Sequence, residues 1–476
     1  MAQGMLQSAS GYLPLLRFDR AVARRELRWA GLGGSGKGHR AVAGWDEDAL
    51  TMAVEAARGA LGDGHTGSVV FASTSAPFTD RSQAGLVIDA LHLAPETLAQ
   101  DVAGSRRAAV TALRRALESG AETLVAAGEK RAAAPGSAAH LGWGDGAGAV
   151  RTGAGAGVAR LLGAATVNAD LLDSVTSVDR GLPYASEERF VRDEAVASVY
   201  RPAITAALRA AGVEAGAIAQ AIVPEPVGGT WRAVAKACGL KAANPCEEIA
   251  LQAGDLGAAM PLFGLALALD RAQPGDRLLL AGYGNGADVL VFEVTGAGDG
   301  SATRALAEGA LLTSFSRFLS LTGALTLDWG PRAEVNQKVA ASTLLRHGRD
   351  MHGFVGGRDA GGNVQFPKTP IPIRPDATGP EPYEDVVLRD LPARVVSITA
   401  DRLNFTPDPP FHFGLVQFEN GARLPMEHCD IEGAAPEVGA GVRMRFRVKA
   451  LDRQRGQRSY FWKAAPLVRP DLPKEG

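Results

Sequence analysis

Apolar and polar positions follow two rhythms along this chain. Asp101 to Ala103 closes a short apolar strand and Gly104-Ser105 makes a tight corner. From Arg106 the residues Ala109, Val110, Ala112, Leu113, Ala116 and Leu117 then recur at helical spacing until Gly120 stops the helix. Thr123 to Ala127 reads as a further apolar strand, followed by a glycine-rich loop at Gly142 to Gly148. A strand that turns sharply into a buried helix places the corner residue at a helix N-terminus, where free N–H groups and the dipole stabilise an anion. A nucleophile would sit at such a corner.

The unit recurs. Met260 to Ala272 reads as a second apolar helix, Pro274-Gly275 breaks it, Arg277 to Ala281 is a strand, and Gly282 to Gly286 is a glycine loop before Asp288 to Thr295. SGAETLVAAG and PGDRLLLAG are matching pieces about 155 residues apart, an internal repeat. Around these units, LPLLRF, Asp46 to Leu61, Ser68 to Ser73 and Arg81 to Leu91 alternate strand and helix. So do Ala195 to Ala211, Ala219 to Pro224 and Thr230 to Cys238. This rhythm predicts a duplicated α/β domain whose mostly parallel sheet is covered on both faces. Phe315 to Leu321 still reads as helix, but residues 353–382 are dense in Gly and Pro and read as an irregular connector. Ala393 to Ala400, Phe413 to Glu419, Ala422 to Pro425, Val442 to Ala450 and Tyr460 to Ala464 are short strands that suggest a small closed barrel of the OB type.

At 476 residues, at least two domains are expected. A composition of 46 % hydrophobic and 21 % charged residues is that of a globular protein, and a net charge of -2 argues against a nucleic-acid surface. The N-terminus MAQGMLQSAS carries no leader pattern and no run of 18 apolar residues occurs, so a cytoplasmic protein with no membrane partner is expected. Cys238, Cys246 and Cys429 lack metal-binding spacing.

Residues 10–330 resemble the thiolase superfamily and, within it, the hydroxymethylglutaryl-CoA synthase and ketoacyl-synthase III branch. The resemblance rests on the Asp101 to Leu113 elbow and helix, GDGAGAV at Gly144 to Val150, EERFVRDE at Glu187 to Glu194, and PGDRLLLAGYGNGA at Pro274 to Ala287. Residues 340–470 resemble the OB-fold domain of unknown function found beside thiolases, often preceded by a zinc ribbon, through VGGRDAGGNVQFP and ARVVSITADRLNF. The resemblance implies a five-layer thiolase-like fold with halves at 1–165 and 166–330, a linker with a degenerate zinc-ribbon-like segment at 331–385, and an OB-fold domain at 386–476. It also implies Claisen-type chemistry on acyl-CoA, in which a cysteine takes the acyl group and a histidine and a glutamate serve as acid/base groups.

Here the chain departs from the family it resembles. The nucleophile position falls at Arg106, or at Ser105 one residue earlier, and neither is cysteine. No histidine lies between residues 141 and 346, and the stretch matching the family's catalytic histidine is Ile222-Val223-Pro224-Glu225-Pro226. The acidic position matches Ser75, and the asparagine-bearing loop matches Leu251 to Gly254 without an Asn. Where zinc-ribbon cysteines are expected stand Gly357 to Ala360 and Thr369 to Pro372, so no metal is expected.

Ser105 and Arg106 are therefore the candidate catalytic positions, and Ser75, Gly146, Glu225, Gly284 and Asn285 the candidate substrate-binding ones. An arginine at the elbow would bind a carboxylate or phosphate. Each position has a plainer reading: Ser105 as a helix cap, the glycine loops as close backbone packing, Glu225 as a surface acid, Cys246 as a buried inert thiol and His412 as a barrel-strand residue. Two functions follow. The first is an acyl-CoA-binding subunit without the Cys/His/Glu set, working beside a thiolase as a homodimer or mixed complex. Its ligand is a coenzyme A thioester, with no covalent cofactor. The second is a self-sufficient acyltransferase using a non-cysteine route.

Overall fold

Residues 4–177, 179–331 and 340–472 are described by the structure, a computed structural model. The first half builds β1 (Met5–Tyr12), α1 (Ala49–Leu61), β2 (Ser68–Ala72), α2 (Gln83–Ala90), β3 (Leu98–Val102), α3 (Ala108–Ser119), β4 (Thr123–Glu129) and β5 (Gly146–Gly153). The strands lie in the order β3-β2-β4-β5-β1; β2 runs parallel to β3 and β4, and β5 is antiparallel to β4 and β1.

The second half repeats this with β6 (Ala159–Asn168), a hairpin of β7 (Ser174–Ser177) and β8 (Arg180–Ala185), α4 (Arg201–Ala211), β9 (Ile218–Ile222), α5 (Thr230–Cys238), α6 (Pro245–Gln252), α7 (Met260–Arg271), β10 (Arg277–Tyr283) and β11 (Gly286–Val294). Its order is β9-β10-β11-β6, parallel between β9 and β10 and antiparallel thereafter. The counterpart of β3 is reduced to a single bridge, with Ala243 parallel to Gln220. β4 and β10, which carry the matching sequence pieces, occupy equivalent places. The half-sheets join where Met5 and Leu6 meet Arg160 and Ala159, giving nine strands.

Three apolar clusters separate the layers. α1 and α2 cover one outer face, α4 and α5 the other, and α3, α6 and α7 lie between the sheets. α7 is apolar on all sides, as a helix enclosed by two sheets must be: Met260 to Leu269 are all buried. Polar residues set the helix starts. Asp48 and Thr51 form a capping box on α1, and Ser82 caps α2. Two strand assignments move. LPLLRF is not the first sheet strand; that strand is β1, whose Gln7, Ser8, Ser10 and Gly11 break any apolar run, while Leu16–Asp19 belongs to a separate small sheet. The predicted loop at Gly142 to Gly148 becomes strand from Gly146 onward, because Gly146 and Gly148 let β5 lie close to its neighbours.

α8 (Phe315–Leu321) and α9 (Ala341–Gly353) lead to the C-terminal part. The stretch read as an irregular connector carries two strands, Val355–Arg358 and Val364–Gln365, which form a three-stranded sheet with Glu384–Val387 just beyond it; that last pairing joins residues distant in sequence, which periodicity cannot reveal. β12 (Ala393–Asp401), β13 (Phe411–Phe418), β14 (Arg423–Glu427), β15 (Gly441–Asp452) and β16 (Gln457–Pro466) follow in the order β14-β13-β12-β15-β16, and a bridge from His428 to Ala464 brings the two edges together. This sheet packs on α1 and α2 within one apolar cluster that includes Phe446, Tyr460 and Trp462. Arg458 and Tyr460 both reach the Asp48 carboxylate that caps α1, at 2.7 and 2.9 Å. Among the described residues, no helix is long and apolar enough to cross a membrane.

Candidate active site

The elbow between β3 and α3 turns at Gly104, whose φ of +84° is left-handed and suits glycine. The helix begins two residues later than its apolar spacing suggests, with Arg107 as N-cap. Ser105 Oγ accepts the Arg107 N–H at 3.3 Å and donates to the Gly284 carbonyl at 2.8 Å. Gly284 and Asn285 form the tight turn between β10 and β11, both with positive φ. A Cβ on Gly284 would come within 2.5 Å of Ser105 Oγ, so the glycine permits the contact. Asn285 donates to Asp170 at 3.3 Å.

The Arg106 side chain is largely buried and is met by two acids of its own chain. It pairs with Asp173 and lies 4.0 Å from Asp255, with its guanidinium 5.8 Å from the Tyr283 ring centre. Burial opposes its charge, but the two carboxylates outweigh that and hold it firmly protonated. The anion expected at the elbow is thus supplied internally. Asp255 is shared with Arg131 at 3.1 Å, and Arg131 stacks 4.2 Å from the Trp143 ring centre. Burial pushes the Asp255 carboxyl up, yet Arg131 and Arg106 prevail and hold it below the usual carboxylate range.

The backbone donors nearby are also engaged. Gly257 N–H binds Asp255 at 3.0 Å, and Ala258 N–H binds Glu129 at 3.3 Å. Glu129, fully buried at the end of β4, also accepts from Thr74 N–H, Thr74 Oγ1 and Ser75 Oγ at 2.8, 2.9 and 2.5 Å. Ser75, which the sequence matches to the family's acidic position, faces a carboxylate carried by the neighbouring strand. The cleft left between Arg106, Glu225, Asp255 and Tyr283 holds about 10 Å³, the space of one water.

The remaining candidates lie around this cluster. Glu225 accepts the Trp231 N–H at 2.8 Å and so tethers the start of α5, and burial raises its pKa. Gly146 packs against Leu13 and Leu256 within β5. Cys246, at the start of α6, is 2 % exposed, and burial pushes its thiol well up, which keeps it protonated and unreactive. Among the described residues, no three His, Cys, Asp or Glu side chains are grouped as a metal site. Sequence reasoning missed Asp173, Asp255, Arg131 and Glu129. The one available signal was position, since Glu129 ends a strand and Asp255 directly follows the loop matched to the family's asparagine.

The arrangement holds a charged, ion-paired side chain at the elbow. Among the described residues, no side-chain base is hydrogen-bonded to Ser105, whose hydroxyl already donates to a carbonyl.

The fold is that of the thiolase-like condensing enzymes. A hydroxymethylglutaryl-CoA synthase complexed with CoA superposes with a TM-score of 0.52 at 14 % identity, over 67 % of this chain and 87 % of that one. By sequence, the chain is 29 % identical over 318 residues to the hydroxymethylglutaryl-CoA synthase of Aeropyrum pernix, spanning 64 % of this chain and 86 % of that protein. It is 30 % identical over 285 residues to that of Pyrobaculum neutrophilum, spanning 54 % and 76 %. No family model matches. The chain belongs to the hydroxymethylglutaryl-CoA synthase family.

Proposed function

We propose that this protein is an acyl-CoA-binding member of the family that lacks the covalent machinery and works beside a cysteine-bearing thiolase in forming or cleaving C–C bonds on acyl-CoA. The observation that carries this reading is Arg106, ion-paired with Asp173 and Asp255 where the family's nucleophile would stand. Room for a thioester lies beside that point: a groove of about 470 Å³ runs along α3 past Ser105, Arg107 and Arg115. Its two arginines suit the phosphates of coenzyme A, and a family member is seen complexed with CoA.

The groove opens beside β3, an edge strand with unpaired backbone and Leu98 71 % exposed. Leu172, Val175, Leu182 and Tyr184 are exposed around the β7–β8 hairpin. An open edge with exposed apolar side chains is a natural place for a second chain to dock, so a homodimer or a complex with the thiolase would close over the groove. The C-terminal sheet is assigned as an OB-type barrel on its strand order and closing bridge, and residues 331–385, of which 332–339 lie outside the described residues, as a linker with a degenerate zinc-ribbon-like segment.

The test is turnover of acetyl-CoA and acetoacetyl-CoA by the purified chain, alone and with a cysteine-bearing thiolase. The expected result is no turnover alone and turnover in the mixture. Turnover by the isolated chain that Ser105→Ala abolishes would overturn the proposal.

A further inference from the structure

A second cleft lies where the C-terminal sheet meets the thiolase-like body, separate from the elbow. Its outer part, about 450 Å³, is walled by Leu327, Trp329, Pro407, Pro409 and Ile431. Its inner part, about 110 Å³, ends among Trp45, Asp46, His412, His428, Cys429 and Lys463. The two share Arg317, Asp408, Pro410 and His412, so they form one cavity running from an apolar mouth to a polar end. Both parts of the chain contribute walls, so the cavity exists only because they are joined.

The charges at the inner end are already matched. Lys463 pairs with Asp46 and Glu427, each at 3.0 Å, and Arg317 grips Asp408 and Glu432, both at 2.7 Å. Asp430 is held by Arg447 and Arg469 at 2.9 and 2.6 Å. Among the described residues, an incoming anion or cation would find these charges already paired. Among the described residues, the unfilled hydrogen-bonding capacity at this end belongs to His428, which is 7 % exposed and has no partner on either ring nitrogen. Burial lowers its pKa to about 4, with His412 adding to the effect, so the ring is neutral and presents one donor and one acceptor. A buried imidazole with both nitrogens unmet is costly, and a hydroxyl can satisfy either one. At the mouth, Trp329 is fixed edge-on against Phe405, 5.7 Å between ring centres, and offers an apolar wall.

We infer that this cavity binds a neutral, hydroxyl-bearing molecule with a flat apolar body, its hydroxyl on His428 and its body against Trp329 and Ile431. The inference stands apart from the elbow and does not depend on whether acyl-CoA binds there.

The probe is 2-naphthol, titrated calorimetrically into the full chain beside 2-naphthoate and 2-naphthylmethylammonium. Saturable one-site binding of the naphthol is expected, with both charged analogues about tenfold weaker or worse. Trp329→Ala at the rim and His428→Phe inside should each weaken naphthol binding about tenfold while acetyl-CoA binding is unchanged. The imidazole carbon resonances of His428 should shift on saturation. Because His428→Phe alters a buried position, the rim variant and the resonance shift carry the test if it fails to fold. A cavity holding water only, equal affinity for the charged analogues, or naphthol binding indifferent to Trp329→Ala with no shift at His428 would overturn the inference.

Discussion

The Arg106 guanidinium gathers carboxylates from two separate loops, and the sign of the Asp255 shift says what those carboxylates do. A carboxyl held below its usual range is more acidic in the folded chain than in the unfolded one, where it titrates near about 3.9. Its contribution to stability is therefore complete above that pH and is lost as pH falls through the folded value. In urea denaturation, Asp255→Asn should destabilise the chain most at neutral pH, and the gap from the parent should close on acidification below about pH 4. A gap that does not change with pH would mean that the charge is not what matters. Arg106 and Ser105 are legible in the sequence because they sit at a glycine-marked corner. Asp173 and Asp255 are not, because they reach the corner from positions 67 and 149 residues away, and proximity across such separations is set by packing rather than by pattern.

At the scale of elements, long periodic helices and apolar strands read well because burial on one face or both writes itself into the sequence. α1, α3, α7, β4 and β10 all lie where their patterns place them, shifted only at the ends, where caps such as Asp48 decide. Glycines mislead, because the same residue serves a turn and a tight contact. Gly284 is a turn with positive φ, whereas Gly148 lies in mid-strand with α7 against it. A Cβ on Gly148 would stand 2.4 Å from the Phe263 backbone nitrogen and 2.8 Å from the Leu262 carbonyl carbon. Backbone cannot rotate aside, so β5 and α7 would have to part. Gly148→Ala should therefore cost about 1–3 kcal/mol in chemical denaturation, and an unchanged midpoint would contradict the close packing of the central layer.

At the scale of the molecule, the C-terminal sheet is built into the first half. Arg447 meets Glu47, Asp430 and Tyr12 at 3.1, 2.9 and 2.9 Å, and Arg445 pairs with Glu55 at 2.5 Å. Trp462 donates to the His352 carbonyl beneath the same apolar cluster. Groups so deeply shared do not separate without exposing both apolar faces and unpaired charges. Calorimetry of the full chain should give one cooperative transition covering both parts, and chains ending before residue 386 should aggregate. Two resolved transitions would contradict a shared core. The strands of this sheet are legible from alternation and turns, but its seat on α1 and α2 is not, because helices in the middle of an α/β domain are apolar whatever covers them.

Intact-mass spectrometry of the purified chain after incubation with acetyl-CoA separates holding a thioester from attacking it. With Arg106 locked between carboxylates, the Ser105 hydroxyl spent on the Gly284 carbonyl and Cys246 sealed in the core, the chain should bind the thioester and keep its unmodified mass. An acyl adduct on any side chain would contradict the account.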